Sequence, residues 1–373
     1  MTAGIWTRRT LLNPVGALDV SEVWEYDSGD ATLRFDMDVR VGKPLDVVGL
    51  KGIDFGELRT YAGYLADAAR GLYSEPSSLS EIARCPACGN EEQGPMVALE
   101  VFDVAYVSCS ACAHGYVRRQ PPQQALHELF TESAEHSAVY VDAEALEIRM
   151  REVVAPKVDW VLDVFSARTG RRPSLVVDVG AGGGHFVAAI QARGIDAIGF
   201  EPSRASRAFA DEAFGLVLRT DDFREADLSD VDMVTFWGML EYAPEPKPFL
   251  DAARRVMHDG SSMVVAEVPR LHSLGTAVQA VEGAVVSRHM DPTSHVNCFS
   301  DASIATLLFD AGFAPTAAWY FGMDAYETVI QAALRSADPD AIFACLVPLI
   351  QPLQRVCDAG RVADDLVLAA TAR

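Results

Sequence analysis

Leu33, Phe35, Met37 and Val39 alternate with Arg34, Asp36, Asp38 and Arg40, and a period of two predicts a strand with one buried face. The Asp27-Ser28-Gly29-Asp30 cluster before it predicts a turn, with Val23 to Tyr26 as the hairpin partner. Leu58, Tyr61, Tyr64, Leu65 and Ala68 then recur at helical spacing. Together these elements predict a small α+β segment over residues 1–82, to which the sequence attaches no function.

From Ser174 the pattern changes to short apolar runs alternating with helical stretches. Leu175-Val176-Val177-Asp178-Val179 reads as a strand and Phe186 to Ala192 as a helix. Ala197 to Phe200, Met233 to Phe236 and Met263 to Ala266 read as further strands, and Ser300 is placed to cap a helix from Asp301 to Ala311 that stops at Gly312. Such alternation predicts an α/β fold, a mainly parallel sheet with helices on both faces. The domain is expected over residues 154–335, after a helical linker at 121–153 and before a helical tail at 336–373 punctuated by Pro348 and Pro352.

Half of the residues are hydrophobic and 23% are charged, so a core can be buried and global disorder is excluded. The net charge of −22 argues against wrapping nucleic acid or sitting on anionic lipid, since each needs a cationic face. No apolar run approaches the roughly 20 residues of a membrane span, and Leu11-Leu12-Asn13-Pro14 is too short for a signal-peptide core. A cytoplasmic protein is expected. Nothing in the sequence fixes its oligomeric state.

The segment Asp178-Val-Gly-Ala-Gly-Gly-Gly-His-Phe186 joins a strand to a helix. Glycines let a backbone turn sharply and approach a ligand closely, although a tight turn without a ligand has the same composition. A dinucleotide fingerprint needs G-x-G-x-x-G; counted from Gly180 the sixth position is His185, and from Gly182 it is Val187. The acid before the first glycine would repel a phosphate but suits a ligand with a sulfonium and an ammonium. Glu201, at the end of the second strand, is placed to accept hydrogen bonds from two ribose hydroxyls. Asp221, Asp222 and Phe223 follow the third strand, where a carboxylate and a ring can hold an adenine. S-adenosylmethionine fits this set better than NAD.

On these residues the chain resembles the class I S-adenosylmethionine-dependent methyltransferases. The likeness extends through Gly199-Phe-Glu-Pro-Ser203 and Asp232-Met-Val-Thr-Phe-Trp-Gly-Met-Leu-Glu-Tyr242, where Tyr242 stands in place of the family's usual histidine. The resemblance implies a Rossmann-like sheet and a cofactor site. Gly180, Ala181, Gly182, Gly184 and Phe186 would approach the methionine moiety, with Asp178 behind them. Glu201 and Pro202 would meet the ribose, Asp222 and Phe223 the adenine, and Trp237 and Gly238 the cofactor floor.

Cys85-Pro-Ala-Cys88 and Cys109-Ser-Ala-Cys112 are two knuckles twenty residues apart. Four thiolates in this pattern make the closed tetrahedral set of structural Zn2+ in a ribbon spanning residues 83–120; the plain alternative is four free cysteines in a reducing compartment. His114 is expected at the surface rather than as a ligand. A ribbon followed by Gly115-Tyr-Val117, Pro121-Pro122 and a short helix resembles a bacterial subgroup of methyltransferases, many of which act on sugars or small hydroxylated metabolites.

Methyl transfer is an in-line displacement in which alignment does most of the work, and a base is needed only where the nucleophile must lose a proton. After Glu267-Val-Pro269 a loop of some thirty residues is expected, holding His289 and Asp291-Pro-Thr-Ser-His295. The sugar C-methylating branch of that subgroup resembles the chain here, with Glu-x-Pro after the strand and a histidine just before a Phe-Ser that opens a helix. By that likeness His295 is the candidate general base, with His289, Asp291 and Glu267 orienting it or binding substrate; an ordinary helix-entry residue is the alternative for His295. Glu241 and Tyr242 are expected only to line the substrate.

The sequence therefore points to a methyltransferase acting at oxygen or carbon of a small-molecule acceptor, a sugar or secondary metabolite, with no nucleic acid and no membrane as partner. Two alternatives are an RNA methyltransferase and a non-catalytic cofactor-binding scaffold whose ribbon grips a partner protein. The charge speaks against the first, and the intact glycine loop against decay of the site.

Overall fold

Strands β1 (Ile5–Thr10), β2 (Asp19–Asp27) and β3 (Thr32–Val41) open the chain in the computed structural model, which describes residues 4–10, 19–43, 45–91, 93–132, 145–281 and 290–373. Next come β4 (Ser80–Glu81), β5 (Gln93–Val101), β6 (Val104–Cys109), β7 (Gly115–Val117) and β8 (Arg119–Gln120). The remainder are β9 (Leu175–Val179), β10 (Asp196–Phe200), β11 (Met233–Trp237), β12 (Met263–Pro269), β13 (Asn297–Cys298), β14 (Phe313–Phe321) and β15 (Asp365–Ala372).

Nine of them form one sheet in the order β1-β2-β3-β14-β15-β12-β11-β9-β10. Its centre is buried on both faces because successive side chains of a strand point opposite ways. In β12, Val264 and Ala266 enter one core with Val177, Phe236 and Leu308; Met263 and Val265 enter the other with Val176, Phe165 and Ile190. Helices Lys247–Val256 and Asp301–Asp310 supply the first core, and Ala155–Thr169 and His185–Gln191 the second. This is the expected α/β class with a Rossmann-like arrangement. Ser300 caps its helix as expected, accepting from the amide of Ser303 at 2.9 Å. The third strand is reduced to one parallel bridge between Phe200 and Arg219.

Three expectations change. Residues 1–82 do not stand apart from the sheet: β3 runs parallel to β14, with Val39 opposite Ala318, and buries Met37, Val39 and Val41 in the first core. The hairpin itself and the helix Phe55–Tyr73 are as the periodicity predicts. The tail at 336–373 is not wholly helical. Leu366-Val-Leu-Ala-Ala370 is a continuous apolar run buried on both faces, and β15 lies antiparallel between β12 and β14. Finally, the loop after Pro269 carries a helix, Leu274–Gln279, capped by Ser273.

The helical stretch Pro339–Ala359 is long and apolar enough, by length and composition alone, to cross a membrane, which the sequence reading did not single out. Within the fold, Phe343, Leu346, Val347 and Ile350 pack against Tyr326 and Ile330 of the helix Asp324–Leu334.

The ribbon sheet runs β13-β7-β6-β5, so its edge strand comes from residues 297–298. Ser300 Oγ donates to Cys112 O at 2.5 Å, and Val117 N to Val296 O at 2.9 Å. His114, expected at the surface, is fully buried. Its Nε2 lies 2.9 Å from Asn297 Oδ1 and its Nδ1 3.3 Å from Ser303 Oγ, and burial pushes it down to about 4.

Candidate active site

The glycine loop leaves β9 at the carboxyl end of the sheet. Gly180, Gly182 and Gly184 have φ of 77°, 52° and 75°, a region other residues adopt at a cost. A Cβ on Gly180 would stand 2.8 Å from Met239 Cγ. The amides of Gly180 and Ala181 donate to Phe200 O, both at 2.9 Å, which ties the turn to β10.

Glu201 holds the loop from the second strand. Its carboxylate accepts from Gly182 N at 2.8 Å and from Ser203 N at 2.7 Å. Burial raises its pKa, and those two amides oppose the rise. Asp178 lies behind the loop, 3% exposed, accepting from Thr235 Oγ1 at 2.7 Å. Burial pushes it up to about 7 against the pull of Thr235 and Lys157. Phe186 packs on Trp237 with centroids 5.1 Å apart, and the buried indole Nε1 of Trp237 has no hydrogen-bond partner.

The adenine end differs from expectation. Phe223 is 2% exposed, its ring packed against Phe200 and Phe236 in the core, so it offers no free face. Asp222 is exposed and paired with Arg224 at 2.6 Å, and Pro202 is exposed beside Glu201. The set Asp178, Gly180, Gly182, Glu201 and Trp237 converges; Phe223 does not join it. These residues fit a nucleoside carrying positive charge: a buried acid, a turn with no Cβ in the way and, at the end of β11, an indole nitrogen without a partner among the described residues.

Across the crevice, His295 enters after β12. Its amide donates to Asp291 O at 2.7 Å, and Tyr106 of the ribbon donates its hydroxyl to His295 O at 2.7 Å. The Asp291 carboxylate caps its own turn through Thr293 instead of reaching the imidazole. Glu241 Oε1 lies 4.0 Å from Nε2 of the ring, and the ring of Tyr242 packs edge-on at 5.3 Å. Glu241 is 3% exposed, and burial together with Glu267 and Asp365 holds its carboxyl well above the usual range. Glu267, expected beside the histidine, is ion-paired with Lys157. His289 lies outside the described residues.

Sequence reasoning missed Lys157, Asp365 and Lys43. Lys157 Nζ sits 4.8 Å over the Trp237 ring, and Asp365 opens β15 opposite Phe321. Removal from water and the charge of Glu267 push Asp365 up to about 8. None carries a local motif; the strand order and the packing of the helix Ala155–Thr169 on the sheet bring them together.

The sulfur atoms of Cys85, Cys88, Cys109 and Cys112 all lie within 4.8 Å of one another, with 3.6 Å between Cys85 and Cys112 and between Cys88 and Cys109. A tetrahedral zinc with bonds of about 2.3 Å requires sulfurs about 3.8 Å apart, so the donor set fits that ion.

Residues 147–318 match the model of a methyltransferase domain family. Over 138 residues, 35% of this chain and 56% of the relative, the chain is 29% identical to the ubiquinone biosynthesis O-methyltransferase of Hahella chejuensis. The same enzyme of Methylococcus capsulatus is 28% identical over 154 residues, 39% of this chain and 63% of its own length. The chain thus spans little more than half of the curated relatives it matches. Among solved structures, a plantazolicin methyltransferase aligns at 14% identity over 67% of this chain and 95% of its own, with a TM-score of 0.44. A methyltransferase of Archaeoglobus fulgidus aligns at 21% over 62% and 100%, with a TM-score of 0.41.

Proposed function

We propose that the protein, whose residues 147–318 match a methyltransferase domain family, uses S-adenosylmethionine to methylate an oxygen or carbon of a small hydroxylated acceptor, a sugar or secondary metabolite, in a cytoplasmic biosynthetic pathway. The observation that carries this reading is a glycine turn held by Glu201 in front of the buried acid Asp178, with His295 set beside Glu241 just beyond β11.

S-adenosylmethionine, when bound, supplies an electrophilic methyl carbon on a sulfonium. Gly182 and Glu201 would fix the nucleoside, with the Asp178 carboxyl behind the loop. His295 would take the acceptor's proton at Nε2. Trp237 and the buried wall behind it exclude water from that path.

Cys85, Cys88, Cys109 and Cys112 would hold structural zinc, with no open position for substrate. The ribbon's strand edge is spent on β13 of the same chain, which supports an internal brace rather than a free module gripping RNA or a partner protein. No nucleic acid or membrane partner is proposed. Incubation with labelled S-adenosylmethionine and a panel of nucleotide-sugars and hydroxylated metabolites tests the reading: a mass gain of one methylene on one acceptor is expected, and none across the panel counts against it.

A further inference from the structure

The chain has four lysines, and two of them, Lys43 and Lys157, converge at the carboxyl end of the sheet. Lys157 is ion-paired with Glu267. Lys43 is 8% exposed, and its ammonium has no hydrogen-bond or ion-pair partner among the described residues. It rests over rings instead, 4.8 Å from the centroid of Phe321 and 5.9 Å from that of Trp319. Burying an ammonium without an acceptor costs several kcal/mol, so a fold that keeps one there invites a ligand to supply it. Its backbone is fixed in place: Gly42 N donates to Tyr320 O at 2.7 Å, and Trp319 Nε1 donates to Gly42 O at 2.9 Å.

The register sets a second unpartnered group beside it. Val41 pairs with Tyr320, and Phe321 pairs with Asp365, so Lys43 and Asp365 flank Phe321. The Asp365 carboxyl also lacks a hydrogen-bond partner among the described residues. The charged groups facing Lys43 are Lys157, Glu267, Asp365 and Glu152.

We propose that Lys43 and Asp365 form a distal subsite for the methyl acceptor, taking an uncharged, hydroxylated part of it: the Lys43 nitrogen donates to one hydroxyl oxygen and an Asp365 carboxyl oxygen accepts from a neighbouring hydroxyl. An anionic group would meet the charge of Glu267, and a cationic one that of Lys157. A polyol satisfies donor and acceptor together. Desolvation and Lys157 bring Lys43 down to about 7, so it can hold or release its proton as the acceptor demands. This subsite rests on reading the crevice as a methyltransferase acceptor site.

Lysine-selective NMR of the full chain, saturated with S-adenosylhomocysteine, tests it. Four lysines give four resonances; Lys51→Arg and Lys247→Arg identify those outside the crevice, and Lys43→Met separates the remaining two. The probes share one hexose skeleton: methyl glucoside (neutral), gluconate (anionic) and glucosamine (cationic). Methyl glucoside is expected to shift the Lys43 resonance, and Lys43→Met or Asp365→Asn to weaken its binding by about tenfold, the loss of one charged hydrogen bond. A larger response to gluconate or glucosamine overturns the subsite. Silence to all three, with S-adenosylhomocysteine bound, overturns it while leaving the cofactor site intact. Failure of S-adenosylhomocysteine to bind removes the methyltransferase reading as well.

Discussion

Tyr106 donates its hydroxyl hydrogen to the carbonyl oxygen of His295 across 2.7 Å, joining the ribbon to the histidine over 189 residues of sequence. Two further ties lie on either side of it, Val117 N to Val296 O and Ser300 Oγ to Cys112 O. The ribbon therefore fixes where the imidazole stands relative to Glu241.

Cys88→Ser should lower bound zinc and loosen that brace without touching the glycine loop. The expected outcome is reduced metal by elemental analysis and turnover lowered about tenfold or more, with cofactor affinity by calorimetry near wild type. Full metal content in the variant would remove the ribbon assignment.

His295→Ala should cut turnover by about 10² to 10⁴, the range for a lost general base, and leave the dissociation constant for S-adenosylmethionine unchanged. Equal turnover would dismiss the histidine as base.

Gly182→Val should abolish cofactor binding. A branched residue is strained at φ 52°, and it would displace the amide that Glu201 holds. Unaltered affinity would mean that the turn is not the cofactor site.

Asp178 gives a pH prediction whose sign follows from burial. Its folded pKa, about 7, stands above the ordinary 3.8, so its contribution to stability is complete below pH 3.8 and is lost as pH rises through 7. Wild type should therefore lose stability relative to Asp178→Asn across that window, by about 4 kcal/mol at most. His114 and His185, lowered to about 4, act in the opposite sense, losing stability as pH falls below 6.5. Denaturant melts of both proteins at several pH values read the difference; parallel curves would refute a buried neutral acid.

The glycine turn, Glu201 and the cysteine knuckles were legible because each is encoded within a few residues. Lys43, Lys157 and Asp365 were not, because their meeting depends on β3 and β15 joining the sheet between and beyond strands far away in the chain. Phe223 and His114 mislead for a related reason. A ring after a strand end suits either a ligand or the core, and a histidine beside a metal knuckle suits either solvent or a buried hydrogen-bonded joint. Only packing against Phe236 and Asn297 decides these two.

β15 is hydrogen-bonded between β12 and β14, and through β14 it joins β12 to the opening hairpin. While the chain is being synthesised, everything up to residue 364 can emerge as two half-sheets, each with a raw edge open to mispairing. Lys43, carried just beyond β3, reaches Asp365 and Lys157 only when β15 slots between β12 and β14, so closure of this sheet waits on residues more than three hundred positions further along the chain.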